Sequence, residues 1–208
     1  MTQFMLTRRT LVLAAASAPL LGGVARAAVE VNAAAPAFSA PDAAGRARSV
    51  SEFAGRTLIL EWTNNGCPYV QKHYNSGNMQ GLQREATQAG VTWLSVISSA
   101  PGQQGYFTGP DAIAHAREVN AAPTAILLDP AGAMGRAYDA RTTPHMFVID
   151  GRGRVVYQGA IDDRPSARPA TLEGATNYVR AALADLAAGR TVETAQTTPY
   201  GCSVKYAA

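Results

Sequence analysis

One stretch constrains this chain more than any other: Leu58-Ile59-Leu60-Glu61-Trp62, then Thr63-Asn64-Asn65-Gly66-Cys67-Pro68. The apolar run reads as a buried strand. The polar turn ends it, and Pro68 suits the first turn of a helix, where a missing N–H leaves no bond unmade. Cys67 therefore stands at a strand-to-helix junction, at or beside the helix N-cap. Unpaired N–H groups and the positive end of the helix dipole favour a thiolate there. Connections leaving the C-terminal ends of strands are also where open α/β sheets commonly carry their sites. The alternative is a small buried cysteine that only packs.

Residues 1–27 read as an export signal rather than as part of the fold. Arg8-Arg9 precedes an apolar run from Leu11 to Val24, and Ala25-Arg26-Ala27 has the small-x-small form of a cleavage site. The run is too short to span a bilayer unaided. The expectation is a twin-arginine (Tat) signal of bacterial type, a mature N-terminus at Ala28, and a periplasmic or secreted protein that does not span the membrane. A retained N-terminal anchor is the alternative. The signal takes Arg8, Arg9 and Arg26 from a total of 18 Lys and Arg, which leaves the basic residues equal to the 15 acidic ones. No basic run remains to bind nucleic acid or an anionic membrane. Residues 28–190 have the size of one domain with its own core, and 191–208 form a polar tail. Only two cysteines occur, Cys67 and Cys202. An oxidising compartment permits a disulfide between them, and two are too few for a disulfide scaffold.

The rest of the chain alternates strands and helices, which argues for an α/β fold. Ala28 to Ala35 reads as a loose lead-in. A helix is expected from about Pro68 to Ala89, with Asn75-Ser76-Gly77-Asn78 as a point of breakage. Val91 to Ile97 is apolar enough to be a strand covered on both faces, and Ala125 to Asp129 reads as another buried strand. Helices are expected over Asp111 to Asn120 and Ala131 to Tyr138. His145 to Asp150 and Arg154 to Gly159 flank Gly151-Arg152-Gly153 as a hairpin. Leu172 to Ala188 carries its apolar residues at the spacing of one helix face.

In this order, the pieces resemble the thioredoxin superfamily: strand, Cys-Pro turn and helix, then Thr143-Pro144 leading into a strand, then a hairpin and a last helix. Phe38-Ser39-Ala40-Pro41-Asp42, the segment from Ala125 to Tyr138 and Val148-Ile149-Asp150 are similar to its peroxiredoxin-type, redoxin-domain members. The resemblance extends to Cys67-Pro68-Tyr69-Val70 with Lys72-His73-Tyr74, to Tyr157-Gln158-Gly159 with Asp162-Asp163, and to Tyr200-Gly201-Cys202-Ser203-Val204-Lys205-Tyr206. It implies a thioredoxin-like domain over 28–190, with a central mixed sheet flanked by helices, an N-terminal extension and an insert. It also implies a cis bond before Pro144, which Thr143-Pro144 can supply, and a backbone edge there for substrate.

The departures from that pattern narrow the chemistry. Thioredoxins carry a second cysteine three residues after the first, and that position here is Val70. Peroxiredoxins place their peroxide-attacking cysteine at this second position, with a Thr three residues before it and a Pro seven before it. Here those positions hold Val70, Cys67 and Thr63. What remains is Cys67 as a lone thioredoxin-type nucleophile, with Cys202 the only internal thiol to resolve it. The sequence reading is an exported thiol-disulfide oxidoreductase or thiol-dependent antioxidant. Its site is Cys67, Cys202 and Pro144, and its partners are protein thiols and disulfides or hydroperoxides, together with a thiol reductant. The alternative is a non-catalytic binding or metal-handling protein with structural cysteines. No cofactor is implied. Cys67, His145 and Cys202 offer three metal donors but no Cys/His spacing motif. In a strand, His145 is expected to turn away towards solvent.

Overall fold

The computed structural model describes residues 29–207; the expected signal, 1–27, lies outside them. In chain order, β1 (Ser39–Pro41) and β2 (Ala47–Ser49) form a hairpin ahead of a 3-10 turn at Val50–Phe53. Then come β3 (Leu58–Trp62), α1 (Pro68–Asn75), α2 (Asn78–Gln88), β4 (Thr92–Ile97), α3 (Gly109–Glu118), β5 (Ala125–Leu128) and α4 (Ala133–Ala137). β6 (Thr142–Thr143), β7 (His145–Ile149), β8 (Val155–Gly159), α5 (Tyr178–Ala187) and β9 (Cys202–Ser203) complete the chain.

The main sheet runs β5-β4-β3-β7-β8. β3 lies at its centre, parallel to β4 and antiparallel to β7. Because side chains alternate along a strand, β3 feeds two cores. Leu58, Leu60 and Trp62 join Leu94, Val96 and Phe147 under Phe38, Phe53 and Tyr138. Ile59 faces the other way, among Trp93, Met146 and Tyr157, covered by Met79 and Leu82 of α2 and Val179 and Ala182 of α5. Helices and loops thus cover both faces, although β5, expected as a buried strand, is mostly half-buried at the sheet edge.

The helix after Cys67 breaks at the expected point, Asn75 to Asn78: Ser76 ends α1 and Gly77, at φ 73°, starts α2. Two further expectations are corrected. The last helix begins at Tyr178 with Asn177 as its cap, and only a 3-10 turn forms at Pro169–Leu172. The stretch before β1 is not loose: Asn32 N–H bonds the Val155 carbonyl at 2.7 Å, and Ala35 N–H bonds that of Gly153 at 2.8 Å.

Glu61, also on β3, points into the second core and is fully buried. Trp93 Nε1 (2.8 Å), Ser95 Oγ (2.9 Å) and Gln83 Nε2 (3.2 Å) donate to its Oε2, and Tyr74 Oη (2.8 Å) donates to its Oε1. Burial raises its pKa above the usual carboxyl value even against these four donors. The carboxyl joins β3 and β4 to α1 and α2, and so sets where the Cys67 helix sits on the sheet. Glu61→Ala, which strands four donors, is expected to cost about 3 kcal/mol or more of unfolding free energy in urea. Glu61→Gln keeps an oxygen for the same donors and should retain most of it. Equal losses in the two variants would assign the effect to packing instead.

Candidate functional site

Cys67 is the N-cap of α1 and is fully buried. Its turn is built by Asn64, whose side-chain oxygen accepts from Gly66 N–H at 2.9 Å and whose carbonyl accepts from Cys67 N–H at 3.0 Å. Asn64 Nδ2 in turn donates to the Gln104 carbonyl at 3.1 Å, which ties the turn to the loop after β4. On the other side lies β6, and the Thr143–Pro144 bond that follows it is cis. The Cys67 thiol donates to the Thr143 carbonyl at 3.0 Å.

The C-terminal segment closes the site. β9 pairs antiparallel with β6, with Thr143 opposite Cys202 and Thr142 opposite Ser203. This places Cys202 N–H 3.4 Å from Cys67 Sγ, as a donor. Both cysteines are free thiols, Cys67 buried and Cys202 partly exposed. Burial alone would raise the Cys67 thiol, but the Cys202 thiol and N–H, the Val70 N–H and the Thr143 side chain outweigh it and hold the pKa below the usual value. Cys202 moves the opposite way. Burial, its hydrogen bond to Cys67 and the negative charge on that sulfur push it up to about 11. The two thiols are thus unequal: the surroundings favour the thiolate of Cys67 and the protonated thiol of Cys202.

A buried network fixes the segment ahead of Cys202. Lys72 of α1, with its side chain wholly buried, donates to Asp162 Oδ2 at 3.0 Å, to the Arg164 carbonyl at 2.9 Å and to Tyr200 Oη at 3.4 Å. The Tyr200 hydroxyl donates to the other oxygen of Asp162. Its ring packs against Tyr69 at 5.7 Å between centroids, and the Lys72 ammonium lies 5.6 Å from the ring centroid. Burial and the neighbouring Asp162 raise the Tyr200 phenol above its ordinary pKa. Lys72, Asp162 and Tyr200 each fall inside stretches that carry the family resemblance. Nothing in the linear order says that they meet, since 128 positions separate Lys72 from Tyr200.

The structure therefore brings Cys67, Cys202 and the bond before Pro144 together and leaves the histidines out. His145 is buried rather than solvated. Its Nδ1 accepts from Arg141 N–H at 3.3 Å, its ring lies 4.5 Å from that of Phe147, and burial lowers its pKa to about 3. His73 is also buried and lowered to about 4, with Nδ1 against Asn78 Nδ2 at 2.8 Å. Among the described residues no group of three His, Cys, Asp or Glu side chains is placed to hold a metal ion. A cavity of about 310 Å³ lies between α1 and α3, lined by Asn64, Val70, Tyr74 and Phe107 among others, and Cys67 does not line it.

A family model described as Redoxin matches residues 30–176. No curated protein matches the chain. The structure is similar to that of an uncharacterized conserved protein from Geobacillus kaustophilus, at 25% identity and TM-score 0.74, over 86% of this chain and 93% of that one. It is also similar to a hypothetical protein from Sinorhizobium meliloti, at 24% identity and TM-score 0.73, over 88% and 97%. A protein described as thiol:disulfide interchange protein DsbE from Chlorobium tepidum matches at 22% identity and TM-score 0.51, over 63% and 85%. These likenesses bear on the fold, which is the thioredoxin-like mixed sheet with flanking helices.

The inequality of the two thiols is measurable. Alkylation of the reduced protein by iodoacetamide, followed by mass mapping across pH, should show Cys67 inflecting below the ordinary cysteine range and well below Cys202. Cys202, followed by its initial rate while Cys67 is still unmodified, should inflect towards about 11. Cys202→Ala removes the thiol donor but keeps the N–H, so it should move the Cys67 inflection upward. An unmoved inflection would show that the thiol–thiol contact does not stabilise the thiolate.

Proposed function

The chain belongs to the Redoxin family, and from that premise we propose that it is a thiol-disulfide oxidoreductase in which Cys67 and Cys202 form one dithiol–disulfide couple. The observation that carries this reading is the Cys202 N–H directed at Cys67 Sγ across the β6–β9 pairing. That contact places the second thiol beside the first, although 135 positions separate them. Val70, in the usual place of a second cysteine, leaves this role to the C-terminal segment.

The chemistry rests on the inequality of the thiols. The Cys67 thiolate attacks a partner disulfide, forming a mixed disulfide and releasing one partner thiolate. Its own charge is then gone, and with it one of the causes that keep Cys202 protonated. Cys202 gives up its proton and attacks the Cys67 sulfur, and the second partner thiolate leaves. Two electrons have passed to the partner, and the Cys67–Cys202 bond remains until a thiol reductant restores the pair. Cys202 thus acts only after Cys67 has reacted. A hydroperoxide can oxidise Cys67 to the sulfenic acid, which Cys202 would condense with, releasing water. Disulfide exchange fits this site better, because the groups hydrogen-bonded to the Cys67 sulfur belong to Thr143, Val70 and Cys202 and none is a cation. A purely structural pair, or a binding or metal-handling role, predicts no turnover.

Equilibration with excess oxidised glutathione should yield an intramolecular Cys67–Cys202 bond, visible as a loss of two mass units. Cys202→Ser should then trap mixed disulfides on Cys67, and Cys67→Ser should abolish them. Two thiols still free under these conditions would sink the couple. In the same reading, Arg8-Arg9 and Ala25-Arg26-Ala27 direct the chain to the periplasm or the exterior with Ala28 as its first residue. Intact-mass measurement of exported protein should give that N-terminus, and retention of residues 1–27 would overturn the cleavage.

A further inference from the structure

The strand edge beside Cys67 is already occupied by the chain itself. A partner sulfur that reacts with Cys67 has to take the place now held by Cys202. The backbone nearest that place is β6, whose Thr142 and Thr143 pair with Ser203 and Cys202. The pairing continues one step further, Val204 N–H bonding the Arg141 carbonyl at 3.0 Å. An extended peptide adding a strand to a sheet edge makes bonds of this kind. Resting on the reading of Cys67 as a reactive thiol, we propose that Tyr200–Val204 acts as an intramolecular stand-in for a partner's extended cysteine-bearing segment. A protein partner reaches Cys67 only by displacing it.

Three further features support the assignment. Gly201 has φ 139°, and a Cβ there would meet the Thr143 carbonyl oxygen at 2.0 Å, so this close approach requires glycine. The segment is clamped before the pairing by Tyr200 on Asp162 and Lys72. Beyond it, Lys205 C=O accepts from Ala100 N–H at 2.8 Å, and the Tyr206 hydroxyl donates to the Ala140 carbonyl at 2.8 Å. Under this strap Cys67 is wholly buried, and it does not line the cavity between α1 and α3. The way to the sulfur is the side that the strap covers. A partner that competes with the strap binds in proportion to the fraction of molecules in which the strap is lifted.

The test uses the full chain with Cys202→Ser, which keeps the strap and removes its sulfur. The probe is an extended synthetic peptide whose single cysteine is activated as a thionitrobenzoate mixed disulfide, and iodoacetamide is the small reference reagent. Adding Gly201→Ala should raise the rate of peptide transfer to Cys67 by about tenfold or more, as the lifted fraction grows. A synthetic copy of residues 196–208 carrying Cys202→Ser should then slow the reaction again. If Gly201→Ala does not fold, Tyr200→Phe in the same background loosens the clamp and should raise the peptide rate in the same direction. Equal peptide rates with and without the loosening change, or no competition from the copy, would overturn the proposal while leaving Cys67 a reactive thiol. A Cys67 that iodoacetamide does not modify in any of these variants would overturn the thiol reading as well.

Discussion

The contact on which the site depends is the buried ion pair of Lys72 and Asp162. A charge taken out of water is costly unless every donor and acceptor finds a partner. Here the three N–H groups of Lys72 go to Asp162, Arg164 and Tyr200. The two oxygens of Asp162 receive Lys72 on one side, and Tyr200 and the Arg164 N–H (2.9 Å) on the other. Such a closed set is worth little as a source of stability, because an apolar replacement of the same shape often does as well. It does specify an arrangement: α1, the loop after β8 and the tail have to meet at one point. Removing one member would leave a charge stranded, at a cost of about 3–5 kcal/mol.

That specification decides how the cysteines differ. Cys67 sits where helix N-terminal groups and neighbouring donors favour an anion, and Cys202 sits beside that anion. One environment therefore produces both shifts. Stabilising the negative charge on one sulfur raises the cost of a second negative charge next to it. In the proposed reaction, electrostatics sets the order of events: the first thiol reacts, its charge disappears, and the second is then free to ionise. No separate base is needed for this ordering, and the nearby histidines are built into the packing instead.

Local signals made the first half of the site legible in the sequence. The run Leu58–Trp62, the polar turn and Pro68 together place a cysteine at a helix N-cap, and the structure puts it there. The two-faced burial of β3 could be read from its continuous apolar character, as could the β7–β8 hairpin from its glycine-flanked turn. Glu61 passed within the apolar run without a sequence signal for its role, because its four donors come from three other elements. The network of Lys72, Asp162 and Tyr200 lay beyond sequence reading for the same reason: its members meet only after the chain has folded. The start of the last helix was misplaced because Leu172 continues an apolar spacing, while the Asn177 cap, which accepts from Arg180 N–H at 2.9 Å, sets the true beginning.

If Cys67 and Cys202 form the proposed couple, the strap also bears on how strong an oxidant that couple can be. Two thiols held in contact by the folded chain behave as if at high effective concentration, which favours the bond between them. In chain-entropy terms, closing a loop of this length would restrain the unfolded state by about 4–5 kcal/mol. A bond so favoured is harder to reduce, which makes the couple a weaker oxidant. Every interaction that holds β9 on β6 pushes in this direction: the Tyr200 clamp, the Gly201 approach and the Tyr206 anchor. In the displacement proposal, the same interactions keep partners off Cys67. Motion of the strap would therefore relieve both constraints at once, since lifting β9 separates the thiols and opens the edge of β6. The accessibility of the nucleophile and the redox poise of the couple are two readings of one equilibrium, that of strand β9 on and off the sheet edge.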